Sequence, residues 1–345
     1  YGGETAILPE VGEVPVEFSI GAEAEAVGAE IDQFFATQVT DEERSHFHYS
    51  WEGWVPSVHK KLADANLLFI GNPDMGGRAV GPYAKKYARE RFNKHGYSNP
   101  GAGVSEMVGH MMVHYGSDEL KTQVLDRIKR GECITSLGYS EPGCGSDVFA
   151  AQTRATQEAD GSWRINGTKM WTSGANLSEY VLMLTRTNPD VAKHKGLTMF
   201  IVPLKAQGVE VQPIYTFQDE RTNVTFYDNV EVPDTWRLGP VDGGTRVMAV
   251  ALELEHGGGF SSTIEETLEA AEEVLREAGR LSEPSVQQRL ARIRAHFITS
   301  EVIEMRAMWA SVEKKPNFAY GPMAKMYSSE CFLVDAREML QLTAP

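Results

Sequence analysis

The chain has few cysteines, no long apolar run and fewer basic than acidic side chains. Three cysteines occur in 345 residues, and no CxxC pair or zinc-ligand spacing is present. This pattern excludes a disulfide framework and indicates the reducing cytoplasm as the location. No apolar run approaches the roughly 20 residues that span a bilayer, and no signal-peptide pattern opens the sequence. We therefore expect a cytoplasmic protein with no membrane span.

The excess of acidic side chains limits the possible partners. The formal net charge is −15, from 33 lysines and arginines against 48 aspartates and glutamates. Such a charge argues against nucleic acid or anionic lipid as a general partner. The apolar content of 42% is ordinary for a globular protein, and the length allows two or three domains.

Three patterns follow one another along the chain. Residues 1–133 show helical spacing and predict an N-terminal helical domain, in which residues 55–68 form one helix and Thr40 caps another. Residues 134–241 contain short β-rich runs separated by turn residues, which predict a compact antiparallel barrel or sandwich. Residues 242–345 return to helical spacing and predict a C-terminal helical domain.

Two stretches of the middle part combine glycines with hydroxyl side chains. The first, GYSEPGCGSD at residues 138–147, is a loop whose backbone N–H groups can approach a ligand closely. The second, NGTKMWTSG at residues 166–174, predicts an Asn166-Gly167 turn followed by a strand end. Together they predict a wall made by the Trp171 indole, with hydroxyl and backbone donors beside it. Such a wall suits a planar ring system with polar edges.

Some of these residues also have a purely structural interpretation. Trp171 could be a core tryptophan at a strand end, and Ser140 and Ser146 could cap turns.

Other chemistry is not predicted. His110 and His114 have the i, i+4 spacing of a zinc-binding pair, but the glutamate of HExxH is absent, so no metal site is expected. Cys144 has no histidine base near it in sequence, and we expect no nucleophilic role for it.

The order of helices, a small β-domain and helices, together with the two stretches, resembles the FAD-dependent acyl-CoA dehydrogenases. More loosely, it is similar to the actinobacterial branch that acts on lipid and steroid side chains. Residues 138–147 match the family's T/S-E-P-x-x-G-S-D loop, and residues 166–173 match its N-G-x-K-x-W strand. Residues 197–203 match its GLTMFIVP strand, and residues 229–233 its V-x-V-P strand exit. The resemblance implies an α+β fold with an N-terminal helical domain, a middle antiparallel β-barrel or sandwich, and a C-terminal helical bundle.

The resemblance also implies an activity. Members of the family bind FAD between the β-domain and the C-terminal helices, usually as tetramers. They convert an acyl-CoA thioester to the trans-2-enoyl-CoA: a glutamate removes the Cα proton, and the hydride at Cβ passes to flavin N5. Electron-transfer flavoprotein is the implied electron acceptor. Fixed donors must stabilise the enolate oxygen that develops, because the α-proton of a thioester is only weakly acidic.

The family motifs transfer the flavin contacts to particular residues of this chain. Trp171 would lie against the ring system, with Thr172 and Ser173 donating towards the flavin edge and N5. Ser146 would lie where the pantetheine or its phosphates enter. The residues that the resemblance assigns to FAD are Leu137, Tyr139, Ser140, Gly145, Ser146, Trp171, Thr172 and Ser173.

The resemblance assigns the α-proton base to Glu255. In most of the family the base lies near the C-terminus, in a segment that would follow the last residue here, so we expect the C-terminal domain to be incomplete. A minority branch carries the base in an L-x-x-E-R pattern on the first helix after the β-domain, where this chain has Leu252 to His256. His256 in place of arginine departs from that pattern, so a helix-surface glutamate remains the alternative. The residues that the resemblance places at the substrate are Ser146, Leu252, Glu253 and His256.

A further departure concerns the subunits. The family's R-x-x-F-G segment, which contacts FAD across a subunit interface, has no match at residues 280–289. Some members of the actinobacterial branch work as two unlike chains that share sites. The resemblance therefore allows a homotetramer or a heterotetramer with a second family subunit. The alternative functions are a non-catalytic subunit and a related flavin oxidase or monooxygenase.

Overall fold

The first part of the chain is helical. The computed structural model describes residues 21–255, 259–315, 317 and 319–344, without the side chains of residues 252–255 and 311. The helices before the sheet are α1 (Ala22–Gln38), α2 (Asp41–Ser45), α3 (Pro56–Asp64), α4 (Pro82–Lys94), α5 (Pro100–Tyr115), α6 (Asp118–Leu120) and α7 (Asp126–Lys129). A π-helical turn, Lys121–Leu125, joins the last two.

Local signals set the ends of these helices. The Thr40 hydroxyl accepts a hydrogen bond from Glu43 N at 3.2 Å, and the Glu43 carboxylate accepts from Thr40 N at 2.9 Å, which confirms the predicted cap of α2. The helix predicted over residues 55–68 is shorter, because α3 ends at Asp64. Asn66, just beyond it, has a φ of 56°. A left-handed backbone cannot continue a right-handed helix, although the apolar spacing runs on.

A sheet follows these helices. Its strands are β1 (Thr135–Gly138), β2 (Arg154–Gln157), β3 (Trp163–Lys169), β4 (Tyr180–Arg186), β5 (Leu197–Pro203), β6 (Val209–Tyr215), β7 (Arg221–Val232) and β8 (Arg237–Leu238). The strand order is β6-β7-β3-β2-β4-β5-β8, and β1 pairs with β4. One face packs on the N-terminal helices and the other forms a second apolar core, so the central strands are buried on both sides.

Two parallel pairings place the first glycine-rich stretch at an edge of β4. β1 pairs with β4 as far as Gly138 opposite Met183, and β2 meets the same strand at Arg154 opposite Arg186. The chain therefore leaves the sheet after Gly138, forms a loop, and returns farther along the same edge. The sequence predicts an antiparallel β-domain, but β1 and β2 each pair with β4 in parallel. A long loop, and not a hairpin, connects β1 to β2, so these two strands need not be antiparallel neighbours.

The predicted turn at Asn166-Gly167 is wrong. Both residues lie inside β3, which runs on to Lys169 opposite β7. The Asn166 side chain instead holds a bulge in β7, where its Oδ1 accepts from Asn229 N at 2.9 Å. A Cβ atom on Gly167 would stand 2.7 Å from the backbone Cα of Thr153. Close packing of neighbouring backbone, and not a hairpin, therefore requires glycine here.

Helices return after the sheet. They are α8 (Gly244–Glu255), α9 (Ser261–Glu277), α10 (Pro284–Val312) and α11 (Tyr320–Thr343). α8 packs against α5 and β5, and its buried residues belong to the apolar core of the N-terminal helices. α9, α10 and α11 build a separate core around Ile264, Leu268 and Ile293. Among the described residues, no helix is both long enough and apolar enough to cross a bilayer.

Candidate functional site

The first glycine-rich stretch is a loop with a tight turn near its start. Glu141 and Cys144 exchange backbone hydrogen bonds of 3.0 and 3.1 Å, which close the turn between them. Gly145 and Ser146 follow and are exposed. Their backbone and hydroxyl groups are therefore accessible to a ligand.

A buried ion pair joins this loop to the second stretch. Lys169 Nζ lies 2.8 Å from Glu141 Oε1 and donates to Tyr139 O at 3.2 Å, and the Lys169 side chain is 0% exposed. The Glu141 carboxylate also accepts from the N–H groups of Gln152 and Thr153 at 2.7 and 2.9 Å. Burial alone raises the pKa of a carboxyl group, but the Lys169 charge and these donors hold the pKa of Glu141 below its usual value. The ion pair thus ties both ends of the loop to β3.

A second buried cation holds the returning end of the loop. Arg186 in β4 donates to the carbonyl groups of Phe149, Ala151 and Lys193 at 2.6, 3.2 and 2.5 Å. Three carbonyl acceptors satisfy much of the donor capacity of a guanidinium group. Neither Arg186 nor the ion pair between Lys169 and Glu141 belongs to a motif that predicts its role from the sequence. The available signal was a charged residue within an otherwise apolar strand, because such residues are rarely buried without partners.

The second stretch ends on an exposed tryptophan. Trp171 lies two residues beyond the end of β3, is 55% exposed and has a φ of 61°. A left-handed backbone is uncommon for a residue other than glycine. Met170 N donates to Ser140 O at 2.9 Å, so the tryptophan and the first loop belong to one continuous surface. The structure rules out the interpretation of Trp171 as a core residue.

The two predicted donors that follow the tryptophan differ in exposure. Thr172 is fully buried; its N–H donates to Asn223 O at 2.9 Å, and its hydroxyl lies 3.4 Å from Thr225 Oγ1. Ser173 is partly buried, and its hydroxyl donates to Thr222 Oγ1 at 3.0 Å. A hydroxyl group can rotate towards a new acceptor. Ser173 therefore keeps a donor at the surface, whereas the donors of Thr172 are engaged inside the sheet.

The other predicted flavin residues lie at the base of the loop. Leu137 is in β1 opposite Leu182, and Tyr139 and Ser140 follow that strand directly. All three are partly buried. The structure thus brings them to the same end of the sheet as Trp171.

The predicted base lies at the C-terminal end of α8. The helix backbone includes Leu252, Glu253 and Glu255, but their side chains, and all of His256, lie outside the described residues. Ala251 is on the buried side of α8, and position 255 follows it by about one helical turn.

A cavity of about 400 Å³ lies on the sheet away from Trp171, and none of its lining residues was predicted as a site residue. Its lining includes Arg154, Thr187 and Asp242. This cavity is therefore separate from the predicted flavin wall.

Comparison with known proteins identifies each of the three parts of the chain. Models described as the acyl-CoA dehydrogenase N-terminal, middle and C-terminal domains match residues 21–132, 136–230 and 245–344. The chain belongs to the acyl-CoA dehydrogenase family. This membership agrees with the α+β architecture and with the position of the two glycine-rich stretches.

Individual acyl-CoA dehydrogenases show the same relationship. FadE26 of Mycobacterium tuberculosis is 30% identical over 70% of this chain and 62% of its own length. The chain spans less than two thirds of the length of the curated relatives it matches first. A solved structure described as the steroid ACAD Tcur3481-Tcur3483 superposes with a TM-score of 0.84 at 26% identity, over 94% of this chain and 86% of that chain. The ChsE4-ChsE5 complex from Mycobacterium tuberculosis superposes with a TM-score of 0.83 at 28% identity, over 94% of this chain and 86% of that chain.

Proposed function

We propose that this chain is a flavoprotein subunit that converts an acyl-CoA thioester to the trans-2-enoyl-CoA. The observation that carries the proposal is the exposed Trp171 at the end of β3, joined to the first loop by the hydrogen bond from Met170 N to Ser140 O. Family membership supports the reaction class. The substrate would be a lipid-derived or steroid-derived acyl-CoA, since one similar structure is described as a steroid ACAD.

FAD is the cofactor that these residues fit. The exposed indole of Trp171 offers an apolar face, while the Ser173 hydroxyl and the accessible groups at Gly145 and Ser146 offer donors. When bound, FAD supplies the acceptor for the hydride that leaves Cβ. The buried Glu141–Lys169 pair lies below this surface and keeps the loop in place.

Glu255 is the residue proposed to remove the proton from Cα of the substrate. A general base must lie within hydrogen-bond reach of the proton that it removes. Position 255 is one helical turn after the buried Ala251, so it lies on the same side of α8 as that residue. In this proposal Leu252, Glu253 and His256 contact the substrate, and Ser146 lies where the pantetheine enters.

A second chain is part of the proposal. Two similar structures carry the names of two components, Tcur3481-Tcur3483 and ChsE4-ChsE5, which favours a heterotetramer over a homotetramer here. The exposure of the Trp171 side chain is compatible with a site that a neighbouring chain completes. α10 and α11 also expose apolar side chains suited to subunit contacts: Ile298, Val302, Met326, Leu333 and Leu340. Electron-transfer flavoprotein is the proposed electron acceptor, and the cytoplasm the proposed location.

The same observation supports an alternative role. A chain that shares its site with a partner could stabilise the flavin without supplying the base. The Glu255→Gln variant separates the two roles, because the amide cannot accept the α-proton.

The test is an anaerobic visible spectrum during titration with a panel of fatty-acyl and steroid acyl-CoAs. It is recorded for the chain alone and after co-expression with a candidate partner chain of the same family. We expect bleaching of the flavin band with one substrate class, and a loss of roughly 10²–10⁴-fold in the bleaching rate for Glu255→Gln. Glu269→Gln, an exposed change on α9, is the control. Unchanged bleaching in Glu255→Gln would assign the base to another residue, and absence of flavin in both preparations would overturn the proposal.

A further inference from the structure

The backbone that carries Trp171 forms a bulge against β7. Lys169 is the last residue of β3 paired with β7, opposite Thr225. The next contact joins Thr172 N to Asn223 O at 2.9 Å. Two residues, Met170 and Trp171, therefore lie opposite a single residue of β7. A bulge of this kind redirects a side chain and is common beside active sites.

The Asn223 side chain adds a second hydrogen bond to Thr172. Its Nδ2 donates to Thr172 O at 3.0 Å and to Asn176 Oδ1 at 3.2 Å, and its Oδ1 accepts from Arg221 Nε at 3.1 Å. Asn223 is 0% exposed. Thr172 thus has its N–H bound by the Asn223 backbone and its carbonyl bound by the Asn223 amide. Asn223 therefore contacts both peptide groups that follow the tryptophan, and Ala175 N adds a hydrogen bond of 3.2 Å to the Thr172 carbonyl.

The pairing of β6 with β7 directs the Asn223 carbonyl towards β3. Asp228 N donates to Gly208 O at 2.9 Å, and the register continues without a shift to Asn223 opposite Pro213. Because hydrogen-bonded and non-hydrogen-bonded pairs alternate in an antiparallel ladder, Asn223 and Pro213 form a non-hydrogen-bonded pair. The Asn223 carbonyl therefore points away from β6, where it accepts from Thr172 N. An amide is the side chain that suits the position, since it donates to one carbonyl and accepts from a cation. Aspartate lacks the donor and alanine lacks both groups.

We propose that Asn223 is the positioning residue for the flavin wall: it holds the bulge at Met170 and Trp171 in the one geometry that presents the indole to the cofactor. The inference deepens the proposed function and rests on it for the identity of the ring. Asn223 itself lies beneath the wall, so it acts through the Trp171 backbone and not by contact with substrate.

The first test needs no cofactor. The protein is labelled with 5-fluorotryptophan, and the resonance of Trp171 among the six tryptophans is assigned by its loss in Trp171→Phe. We expect this resonance to shift or broaden more than the other five in Asn223→Asp and Asn223→Ala. Asn229→Gly is the matched control: it removes an amide from the same strand, and glycine tolerates the φ of 50° there. A Trp171 resonance that stays in place in both Asn223 variants overturns the proposal.

The second test measures FAD binding to the same folded variants. Loss of a buried backbone partner predicts a dissociation constant raised by roughly tenfold or more in Asn223→Asp, and one within about twofold of wild type in Asn229→Gly. If Asn223→Ala does not fold, Asn176→Ala replaces it, since it removes one acceptor of the amide and predicts a smaller shift of the same resonance. A wild-type protein that binds no FAD with or without its partner contradicts the proposed function, while the fluorine spectra still decide the role of Asn223. Unchanged FAD affinity in Asn223→Asp, with wild type binding normally, contradicts the positioning role alone.

Discussion

The end of the sheet and the C-terminal bundle each expose a tryptophan, but they are built differently beneath it. Trp171 is 55% exposed at the sheet end, and Trp309 is 45% exposed on α10. Below Trp171 lie buried polar groups, including Lys169 and Asn223. The core around Ile293 is apolar, and the one buried carboxylate among the described residues of α10 and α11, Asp335, pairs with His296 at 3.0 Å.

This difference in the buried groups determines how each region tolerates amino-acid substitutions. Buried hydrogen bonds and ion pairs have direction, so a polar network fixes one geometry and loses it when one partner is removed. Apolar packing depends mainly on volume and tolerates changes that conserve it. We therefore expect substitutions beneath the sheet end to alter both stability and flavin binding, and conservative substitutions in the bundle to alter only stability.

Among the substitutions considered for the two regions, we expect Lys169→Met to cause the largest loss of stability. It leaves the Glu141 carboxylate buried without its counter-charge, and removing one partner of a buried ion pair costs about 3–5 kcal/mol. The free energy of unfolding, measured by urea denaturation, should fall by that amount. The double variant with Glu141→Gln removes both charges and should recover part of the loss. Recovery should be incomplete, because Gln152 N and Thr153 N donate to different carboxylate oxygens and an amide offers only one acceptor oxygen. Wild-type stability in the single variant would contradict this role of the ion pair.

Acid should act on the same pair to a smaller extent. The folded pKa of Glu141 lies below its usual value of 4.5 because of Lys169 and the backbone donors, although burial opposes this. Its contribution is therefore complete above the unfolded pKa and is lost as the pH falls through the folded pKa. Between about pH 5 and pH 3, the unfolding free energy of wild type should fall more steeply than that of Glu141→Gln. Equal slopes would show that Glu141 does not titrate as described.

In the C-terminal bundle, we expect Ile293→Val to cause the smallest loss of stability. Ile293 is fully buried in the core of α9, α10 and α11. Removing one methyl group should cost about 0.5–1.5 kcal/mol in urea denaturation. Flavin content per folded protein should not change, because the substitution lies in the apolar core of the bundle. A drop in flavin content would mean that the bundle packing also sets the geometry of the site.

The sequence predicts the elements that local signals define. The helical spacing of residues 242–345 predicts helices, and α8 to α11 lie there; the Thr40 cap of α2 is also present. The predictions fail where distant residues decide the outcome. Asn166 and Gly167 have the local chemistry of a turn, but pairing with β7 keeps them in a strand.

The candidate site divides in the same way. The two motifs were visible because their glycines, hydroxyls and tryptophan lie together in sequence. The groups that hold them were not, because each partner is remote: 28 positions separate Glu141 from Lys169, and 51 separate Thr172 from Asn223. No periodicity or local spacing encodes such pairs.

The most direct test of the account is the flavin content of two leucine variants, Trp171→Leu and Trp309→Leu. Both tryptophans are exposed, so neither change should lower stability by more than about 0.5 kcal/mol. The proteins are purified alone and with the partner chain, and the visible flavin absorbance is divided by the concentration of folded protein. We expect Trp171→Leu to lose most of its flavin and Trp309→Leu to keep it. Full flavin content in Trp171→Leu would contradict the claim that the end of β3 and the first loop form the flavin wall.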